Sequence, residues 1–213
     1  MTTLIKIIIT SLLSLTLFSC NFNSGVRGNG KVITQERIIN ESFTTIKATE
    51  GLDVYITQSN NESITVEADE NLQELILTEI KDGVLKIHAK ENIGNATSKK
   101  IKVSFKDISN IISTSGSDVY STNTINADEL YLKSTSGSDM TLTVNTQSLN
   151  CKSTSGSDLR LSGKTSKLFA EATSGSDIKA ADLIAESSQV KATSGADITV
   201  NTSKKLTIRK SHF

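Results

Sequence analysis

Short stretches in which apolar and polar residues alternate begin near Phe43 and recur to the end of the chain. Successive side chains of a β-strand point to opposite faces, so each stretch predicts a strand with one buried face. Turn-forming residues such as Asp82-Gly83 separate these stretches. The pattern therefore predicts an all-β domain. In its first part the apolar positions are Ile46, Ala48, Val54, Ile56, Ile64, Val66, Ala68, Leu85, Ile87, Ala89, Ile101, Val103 and Phe105.

Residues 71–80 form the one segment that the pattern leaves open. Leu72, Leu75 and Ile76 partly follow helical spacing, but the segment is equally compatible with extended structure. We therefore expect either a short helix or a strand there.

The second half of the chain repeats the five-residue motif Thr-Ser-Gly-Ser-Asp. Its glycines are 21, 19, 19 and 20 residues apart. When the copies are aligned on these glycines, small or apolar residues occupy all of the positions three and five residues before and after the glycine. This is the pattern of two strands that flank a turn and share one inward face. A repeat of this length predicts a solenoid, in which each unit buries its apolar face against its neighbours. The copies are residues 114–118, 135–139, 154–158, 173–177 and, with alanine for the second serine, 193–197.

The same pattern extends toward the N-terminus. Gly51 has Ile46 and Ala48 before it and Val54 and Ile56 after it at equivalent positions. The 65 residues from this glycine to the first repeat glycine correspond to three less regular units. We therefore predict one domain over residues 40–213, a parallel β-helix (β-solenoid) with units of about 20 residues in which equivalent residues stack directly.

The N-terminus has the pattern of an export signal. Lys6 precedes an apolar run that ends at Phe18, and Ser19-Cys20 follows, as in a bacterial lipobox, where the signal is cleaved before a lipidated cysteine. We predict a lipoprotein signal peptide over residues 1–19, lipidation of Cys20 and a flexible tether over residues 20–39. The alternatives are an ordinary secretory signal and a membrane anchor, although the run is shorter than the ~20 residues of a spanning helix. The predicted location is the bacterial cell envelope, at the outer membrane.

Composition and charge exclude several classes of partner and site. The 23 basic and 23 acidic side chains give no net charge, so no global field would attract nucleic acid. Only 4% of the residues are aromatic, which leaves few rings on which sugars or bases could stack. The sequence contains no P-loop, dinucleotide fingerprint or nucleophile elbow. His88 and His212 are isolated and predict neither a zinc site nor a catalytic base.

Several stretches make the chain resemble the auto-transporter adhesin "head GIN" family, found in bacterial lipoproteins. They are Gly51-Leu52-Asp53-Val54-Tyr55-Ile56-Thr57-Gln58, Val66-Glu67-Ala68-Asp69-Glu70-Asn71-Leu72, the turn Lys81-Asp82-Gly83-Val84-Leu85 and the Ser-Gly-Ser-Asp repeats, within residues 42–200. The resemblance implies a right-handed β-helix, without the catalytic residues of β-helical lyases, and a role in adhesion. Many relatives have a second glycine where this chain has the serine before each aspartate, so the turn conformation is left open.

The repeats place five aspartates in one row, about 4.8 Å apart. Repulsion between neighbours amounts to about 1 kcal/mol in water, so the row must face solvent, accept hydrogen bonds from turn amides or bind cations. One interpretation is a calcium-binding edge. The other is turn chemistry, in which serine and aspartate accept backbone hydrogen bonds and glycine avoids a Cβ clash. A single carboxylate per turn favours turn chemistry, because calcium needs about six to eight oxygens. The aspartates are Asp118, Asp139, Asp158, Asp177 and Asp197.

The remaining candidates for chemistry are a cysteine and the arginines. Cys151 occupies an inward position of its repeat, which favours a buried thiol over a reactive one. Polysaccharide lyases and hydrolases also use β-helices, but they need convergent acids, or a base with cations. A row of identical aspartates does not separate two pKa values in the way that acid–base catalysis requires. The four arginines, Arg27, Arg37, Arg160 and Arg209, are scattered along the chain.

The sequence thus predicts a non-enzymatic, lipid-anchored β-solenoid of the cell envelope that serves in adhesion or scaffolding. Its predicted partners are the membrane, through the lipid, and an envelope glycan or protein; we predict no catalytic residue and no required cofactor. The alternatives are a polysaccharide-active lyase or hydrolase and a calcium-stabilised binding module.

Overall fold

A computed structural model describes residues 25–210, and its regular structure is β apart from one 3₁₀ turn at Glu70–Leu72. Within this part of the chain no helix is long and apolar enough to cross a membrane. The predicted all-β class is confirmed. The strands of the described residues are β1 (Val32–Arg37), β2 (Thr45–Ala48), β3 (Asp53–Gln58), β4 (Ser63–Asp69), β5 (Ile76–Lys81), β6 (Val84–Ala89), β7 (Lys99–Phe105), β8 (Asn110–Thr114), β9 (Asp118–Ser121), β10 (Ile125–Thr135), β11 (Asp139–Thr154), β12 (Asp158–Thr173), β13 (Asp177–Ala192) and β14 (Asp197–Lys210).

Strands β10 to β14 form the regular part of the solenoid. Neighbours in this series pair in parallel with equivalent residues side by side, as Asp139 does with Asp158 and Thr154 with Thr173. We call one passage of the chain from a repeat turn to the next a rung, and a set of equivalent residues in successive rungs a column. The predicted β-solenoid with units of about 20 residues is confirmed for this part.

Columns of apolar side chains fill the interior of the rungs. Positions that the alternation predicts to be inward are buried in most rungs, and two such columns contain Leu132, Cys151, Ala170 and Val190, and Met140, Leu159 and Ile178. Exposure rises in β14, where Leu206 and Ile208 are 47% and 56% exposed. These two side chains are exposed because β14 pairs on one side only, with β13.

The N-terminal part joins the stack in an order that differs from the prediction. Leu52 N–H donates to Ser117 Oγ, 65 residues later in the chain, and β2 and β3 pair in parallel with β8 and β9. The 65-residue interval is therefore one step of the stack and not three units. Strands β6 and β7 lie on the other side of β2 and β3, so the chain passes across a rung before it continues at β8.

The prediction of a parallel helix over the whole of residues 40–213 is wrong near the N-terminus. Strands β5 and β6 form an antiparallel hairpin, and β4 pairs antiparallel with both β1 and β7. Asp82 and Gly83 connect the hairpin with φ angles of 51° and 74°, a two-residue geometry that Asp-Gly favours. Of the structures left open for residues 71–80, the second half of the segment adopts the extended one, in β5, whereas its start belongs to the 3₁₀ turn that ends at Leu72.

Part of the predicted tether belongs to the folded structure. Strand β1 pairs with β4 along its whole length, and Val26 forms a bridge with Ile93. The prediction of a flexible tether is therefore wrong for residues 26–37, which find backbone partners in the domain. The predicted signal peptide and Cys20 lie outside the described residues.

Candidate binding surface

All five repeat turns share one backbone geometry. Ser115 and Gly116 have φ angles of 56° and 71°, and Ser117 N–H donates to the Thr114 carbonyl at 3.3 Å. This is a two-residue turn with left-handed backbone at both central positions. A Cβ added to Gly116 would meet no atom within 4 Å. Glycine is therefore needed for its φ angle, and the clash that we expected is not the reason.

The second serine of the motif closes the turn from the inside. Ser157 is fully buried, and its hydroxyl accepts the Thr154 N–H at 3.1 Å and donates to the Thr154 carbonyl at 2.9 Å. Ser153 donates to the Ser157 carbonyl at 2.8 Å. These bonds satisfy polar groups that would otherwise be buried without partners, and they support the interpretation of the serines as turn chemistry.

The aspartates of the turns form one continuous column on the outside. The structure brings all five predicted aspartates together and adds Asp53, which pairs with Asp118. The Asp158 N–H donates to Asp139 Oδ1 at 3.2 Å, so a carboxylate of one rung accepts a backbone bond from the next. In stacking order this aspartate column contains Asp53, Asp118, Asp139, Asp158, Asp177 and Asp197.

Two cations neutralise the central section of the aspartate column. The sequence analysis did not assign them to this column. Arg160 lies 3.6 Å from Asp139 and 2.9 Å from Asp158. Lys179 lies 3.0 Å from Asp158 and 3.2 Å from Asp177, and its hydrogen bonds to these carboxylates raise the pKa of Lys179. Each cation follows an aspartate by two residues and so shares its strand face, which is a signal present in the sequence. Over residues 25–210 no group of three or more His, Cys, Asp or Glu side chains is arranged to hold a metal ion.

Neither cation reaches the part of the aspartate column around Asp118. Burial, and then the charges of Asp139 and Asp53, raise the pKa of Asp118. Tyr120 donates to Asp118 Oδ2 at 3.3 Å and stacks on Tyr55 with ring centroids 5.2 Å apart. Burial and the nearby Asp118 raise the pKa of Tyr120 to about 12. The row of aspartates is thus not uniform, because only its central members are neutralised.

A second charged column lies on the strands that precede the turns. It contains six cations and one carboxylate, and we call it the cation column. Glu171 lies 3.6 Å from Lys152 and 2.9 Å from Lys191, and the hydrogen bond from Lys191 lowers the pKa of Glu171. In stacking order the column contains Lys86, Lys47, Ile112, Lys133, Lys152, Glu171, Lys191 and Arg209.

A column of rings and amides runs beside the cation column, two residues further from the turn. We call it the ring–amide column, and Phe169 within it is 41% exposed. Between the two columns, the small inward residues Cys151, Ala170 and Val190 form the floor of a shallow groove of about 390 Å³. In stacking order the ring–amide column contains Asn110, Tyr131, Asn150, Phe169 and Gln189.

A separate polar groove of about 770 Å³ crosses the same rungs. Its side chains bond to one another from rung to rung. Asn145 Nδ2 donates to Asn126 Oδ1, and Gln147 Nε2 donates to Asp128 Oδ1, both at 2.9 Å. Lys164 lies on the wall of this groove, so it provides a cation away from both charged columns.

A family comparison agrees with this architecture. Residues 42–212 match the family model described as "Putative auto-transporter adhesin, head GIN domain". The chain belongs to this family. The match confirms the resemblance that the Gly51 stretch and the repeats predict. Among curated proteins, none matches this head GIN domain.

Solved structures share the fold of this head GIN domain at low sequence identity. A "putative adhesin" from Bacteroides fragilis is 20% identical, with 87% of this chain and 96% of that chain covered and a TM-score of 0.80. A "putative lipid binding protein" from Parabacteroides distasonis is 18% identical, with coverage of 88% and 99% and a TM-score of 0.66. A "putative adhesin" from Parabacteroides merdae is 20% identical, with coverage of 87% and 97% and a TM-score of 0.62.

The other candidates in this head GIN domain are separate from the columns or buried beneath them. Cys151 is 4% exposed, and burial strongly raises the pKa of its thiol, in agreement with the predicted buried residue. His88 Nε2 lies 2.9 Å from Glu79 Oε2. Cys20 and His212 lie outside the described residues, so lipidation stays a prediction.

Proposed function

We propose that this head GIN domain is a non-enzymatic surface-binding module that a lipid on Cys20 anchors to the outer membrane of a bacterium, with adhesion as its role. The observation that supports the proposal is the in-register stacking of the rungs. Such stacking repeats equivalent side chains about every 4.8 Å, so a long ligand meets many equivalent weak contacts at once. Linked contacts of this kind give an avidity that no single contact provides.

Adhesion is tested with the full chain on cells. Expression in a non-adherent bacterium should increase the number of cells retained under flow on a surface coated with envelope polysaccharide. Cys20→Ala should abolish this increase, because the protein is no longer held at the membrane. Retention equal to that of cells without the chain would contradict the proposal.

The lipid anchor is tested by labelling cells with radioactive palmitate. The full chain should incorporate label, and Cys20→Ala should not. Cys151→Ala is the matched control, because it removes the other cysteine of the chain and should leave the label unchanged. Label that persists in Cys20→Ala would place the anchor elsewhere.

The enzyme alternative is tested at the carboxyl group best suited to acid catalysis. Asp118 has a raised pKa, but it lies on a strand face outside the two grooves described above, whereas a glycosidase needs two carboxyl groups with separated pKa values around the scissile bond. We expect no unsaturated or reducing ends after incubation with acidic polysaccharides. Release of such ends that Asp118→Asn abolishes would establish an enzyme.

The calcium alternative is tested by thermal unfolding. Arg160 and Lys179 already neutralise the central aspartates, so we expect the same melting midpoint in millimolar calcium and in chelator. A midpoint that rises with calcium, and does so less in Asp158→Asn, would favour a calcium-stabilised module.

A further inference from the structure

We propose that the cation column and the ring–amide column together bind a linear polysaccharide of uronic acids that lies along the axis of the stack. The inference rests on the proposed surface-binding function and names the class of its ligand. The site extends over the rungs that contain Tyr131, Lys152, Phe169 and Lys191.

The charge of this surface calls for an anionic ligand, although the whole chain is neutral. The side chains of Lys152 and Lys191 are 41% and 51% exposed and share a single counter-ion, Glu171. Lys133, in the next rung, has no ion-pair partner among the residues that the structure describes. A ligand with one carboxylate on each unit would therefore meet unneutralised cations along its length. Each exposed pair would contribute little, so affinity depends on their number.

The ring–amide column indicates that the anionic units are sugars. Tyr131 and Phe169 lie two rungs apart, about 9.6 Å, and Asn150 and Gln189 occupy the rungs that alternate with them. An aromatic face packs against the C–H face of a pyranose ring, and an amide can both donate to and accept from hydroxyl groups. In a β-1,4-linked chain successive sugars are turned over, so the same face returns at every second unit. The alternation of ring and amide matches that repeat.

An acidic peptide fits this surface less well. An extended peptide presents side chains on one face about every 6.6 Å, whereas Lys152 and Lys191 lie two rungs apart, about 9.6 Å, with Glu171 between them. The two spacings coincide only at distant points, so few carboxylates of a peptide could meet a lysine at the same time. A β-1,4-linked chain of uronic acids presents a carboxylate on one side at every second unit, and this repeat follows the two-rung spacing of Lys152 and Lys191.

The test measures binding of β-1,4-linked mannuronate decamers to the full chain in detergent by calorimetry. Lys152→Gln/Lys191→Gln should weaken binding by about tenfold at low salt, and added salt should weaken the binding of the unmodified chain. Phe169→Ala should weaken it by about fivefold, as expected for one lost ring contact. Both sites are exposed, and circular dichroism checks that the variants are folded.

Matched variants separate the proposed surface from general charge and apolarity. Lys164→Gln/Lys167→Gln makes the same change in net charge and changes two exposed lysines of the rung that contains Glu171, next to the rung of Lys152. Ile184→Ala removes another exposed apolar side chain, which is 57% exposed. Both should bind as the unmodified chain does. Glu171→Gln should tighten binding by about threefold, because it removes the one carboxylate of the cation column. This variant also controls for misfolding, because a misfolded protein would lose affinity and not gain it.

Three results would overturn the inference. One is unchanged binding in the Lys152/Lys191 variant; another is an equal loss in the Lys164/Lys167 variant. The third is binding of poly-glutamate or of a neutral β-1,4-glucan as tight as that of mannuronate. Cells that adhere through the chain although it binds no mannuronate would refute this ligand and leave the proposed function intact. Absence of adhesion would refute the proposed function itself.

Discussion

The buried carboxylate of Asp69 holds the N-terminal segment against the domain, and its removal is the most direct test of that end of the fold. The side chain is fully buried. Its Oδ1 accepts the Gly30 N–H at 2.5 Å, and its Oδ2 accepts the N–H groups of Thr97 and Ser98 at 2.8 and 3.0 Å. Asp69→Ala removes all three bonds at once, so we expect the segment before β1 and the loop around Thr97 to loosen together.

The expected loss of stability in Asp69→Ala depends on which of the three N–H donors water can reach once the carboxylate is removed. A hydrogen bond to a charged group contributes about 1.5–3 kcal/mol, and a buried donor left without a partner costs about 1–3 kcal/mol. Gly30 and Thr97 are exposed and Ser98 is buried, so water replaces two of the three acceptor contacts. We therefore expect Asp69→Ala to lower the free energy of unfolding by about 3 kcal/mol. Asp69→Asn should cost less, because its one remaining oxygen can still accept the bonds of Thr97 and Ser98.

The loss of stability in Asp69→Ala should depend on pH, because the hydrogen bonds to Asp69 stabilise its charged form. The Ser98 N–H, followed by those of Gly30 and Thr97, lowers the pKa of Asp69 below its ordinary value of 3.8. A lowered carboxyl pKa contributes stability that is complete above the ordinary value and is lost as the pH falls through the lowered one. The difference between the unmodified chain and Asp69→Ala should therefore be constant near neutral pH and shrink below about pH 4.

Urea unfolding across this pH range measures the difference, and native-state hydrogen exchange locates it. Exchange at the amides of Gly30, Thr97 and Ser98 should accelerate in Asp69→Ala more than exchange in β12. Asp182→Asn is the control, because the side chain of Asp182 is exposed and forms no hydrogen bond or ion pair among the described residues. Equal stability of Asp69→Ala and the unmodified chain, or a difference that grows in acid, would refute the reasoning.

Three further predictions concern the rungs. Asp118→Asn should raise the free energy of unfolding by about 1 kcal/mol at neutral pH, because it removes repulsion from two neighbouring carboxylates. Since the pKa of Asp118 is raised, this gain in stability should disappear in acid, where the unmodified residue becomes protonated. A gain that persists in acid would contradict this cause. Gly163→Ala should lower the free energy of unfolding by about 3 kcal/mol or more, since φ of Gly163 is 103° and an added Cβ would collide with the Val144 carbonyl oxygen. Gly156→Ala should lower it by only about 1 kcal/mol, because Gly156 has a φ of 70° and open space around it. Equal melting midpoints of the two variants would contradict this distinction. Cys151, buried with a raised pKa, should react with a thiol reagent only after unfolding, and rapid labelling of the native chain would show that the groove floor opens.

The regular part of the fold was predictable because each rung repeats the information for its own geometry. The Ser-Gly pair specifies the turn, and the alternation around it specifies which side chains enter the core. The aspartate column followed directly from that register. The cations between the aspartates could also have been found, since Arg160 and Lys179 follow Asp158 and Asp177 by two residues and therefore share their face.

The N-terminal half was not predictable in the same way. Its strands alternate as strands do, but alternation does not specify a partner, and antiparallel and parallel neighbours bury the same face. The interval from Gly51 to Gly116 therefore appeared as three units, although it is one step of the stack. Strand β1 was missed because Val32–Arg37 lies at the outer edge of β4 and is mostly exposed, so it lacks the apolar pattern of a half-buried strand.

The unit of this protein, namely the turn, its flanking strands and their inward residues, is specified by local sequence, because it depends on local backbone preferences and on the period of two. Which rungs are neighbours and which outward residues meet depends instead on how the units stack in three dimensions. Glu171 is close in sequence to neither Lys152 nor Lys191, yet stacking places it between them. A neutral chain thereby acquires an acidic edge and a cationic face, since summed charge contains no information about the side of a strand on which each charge lies.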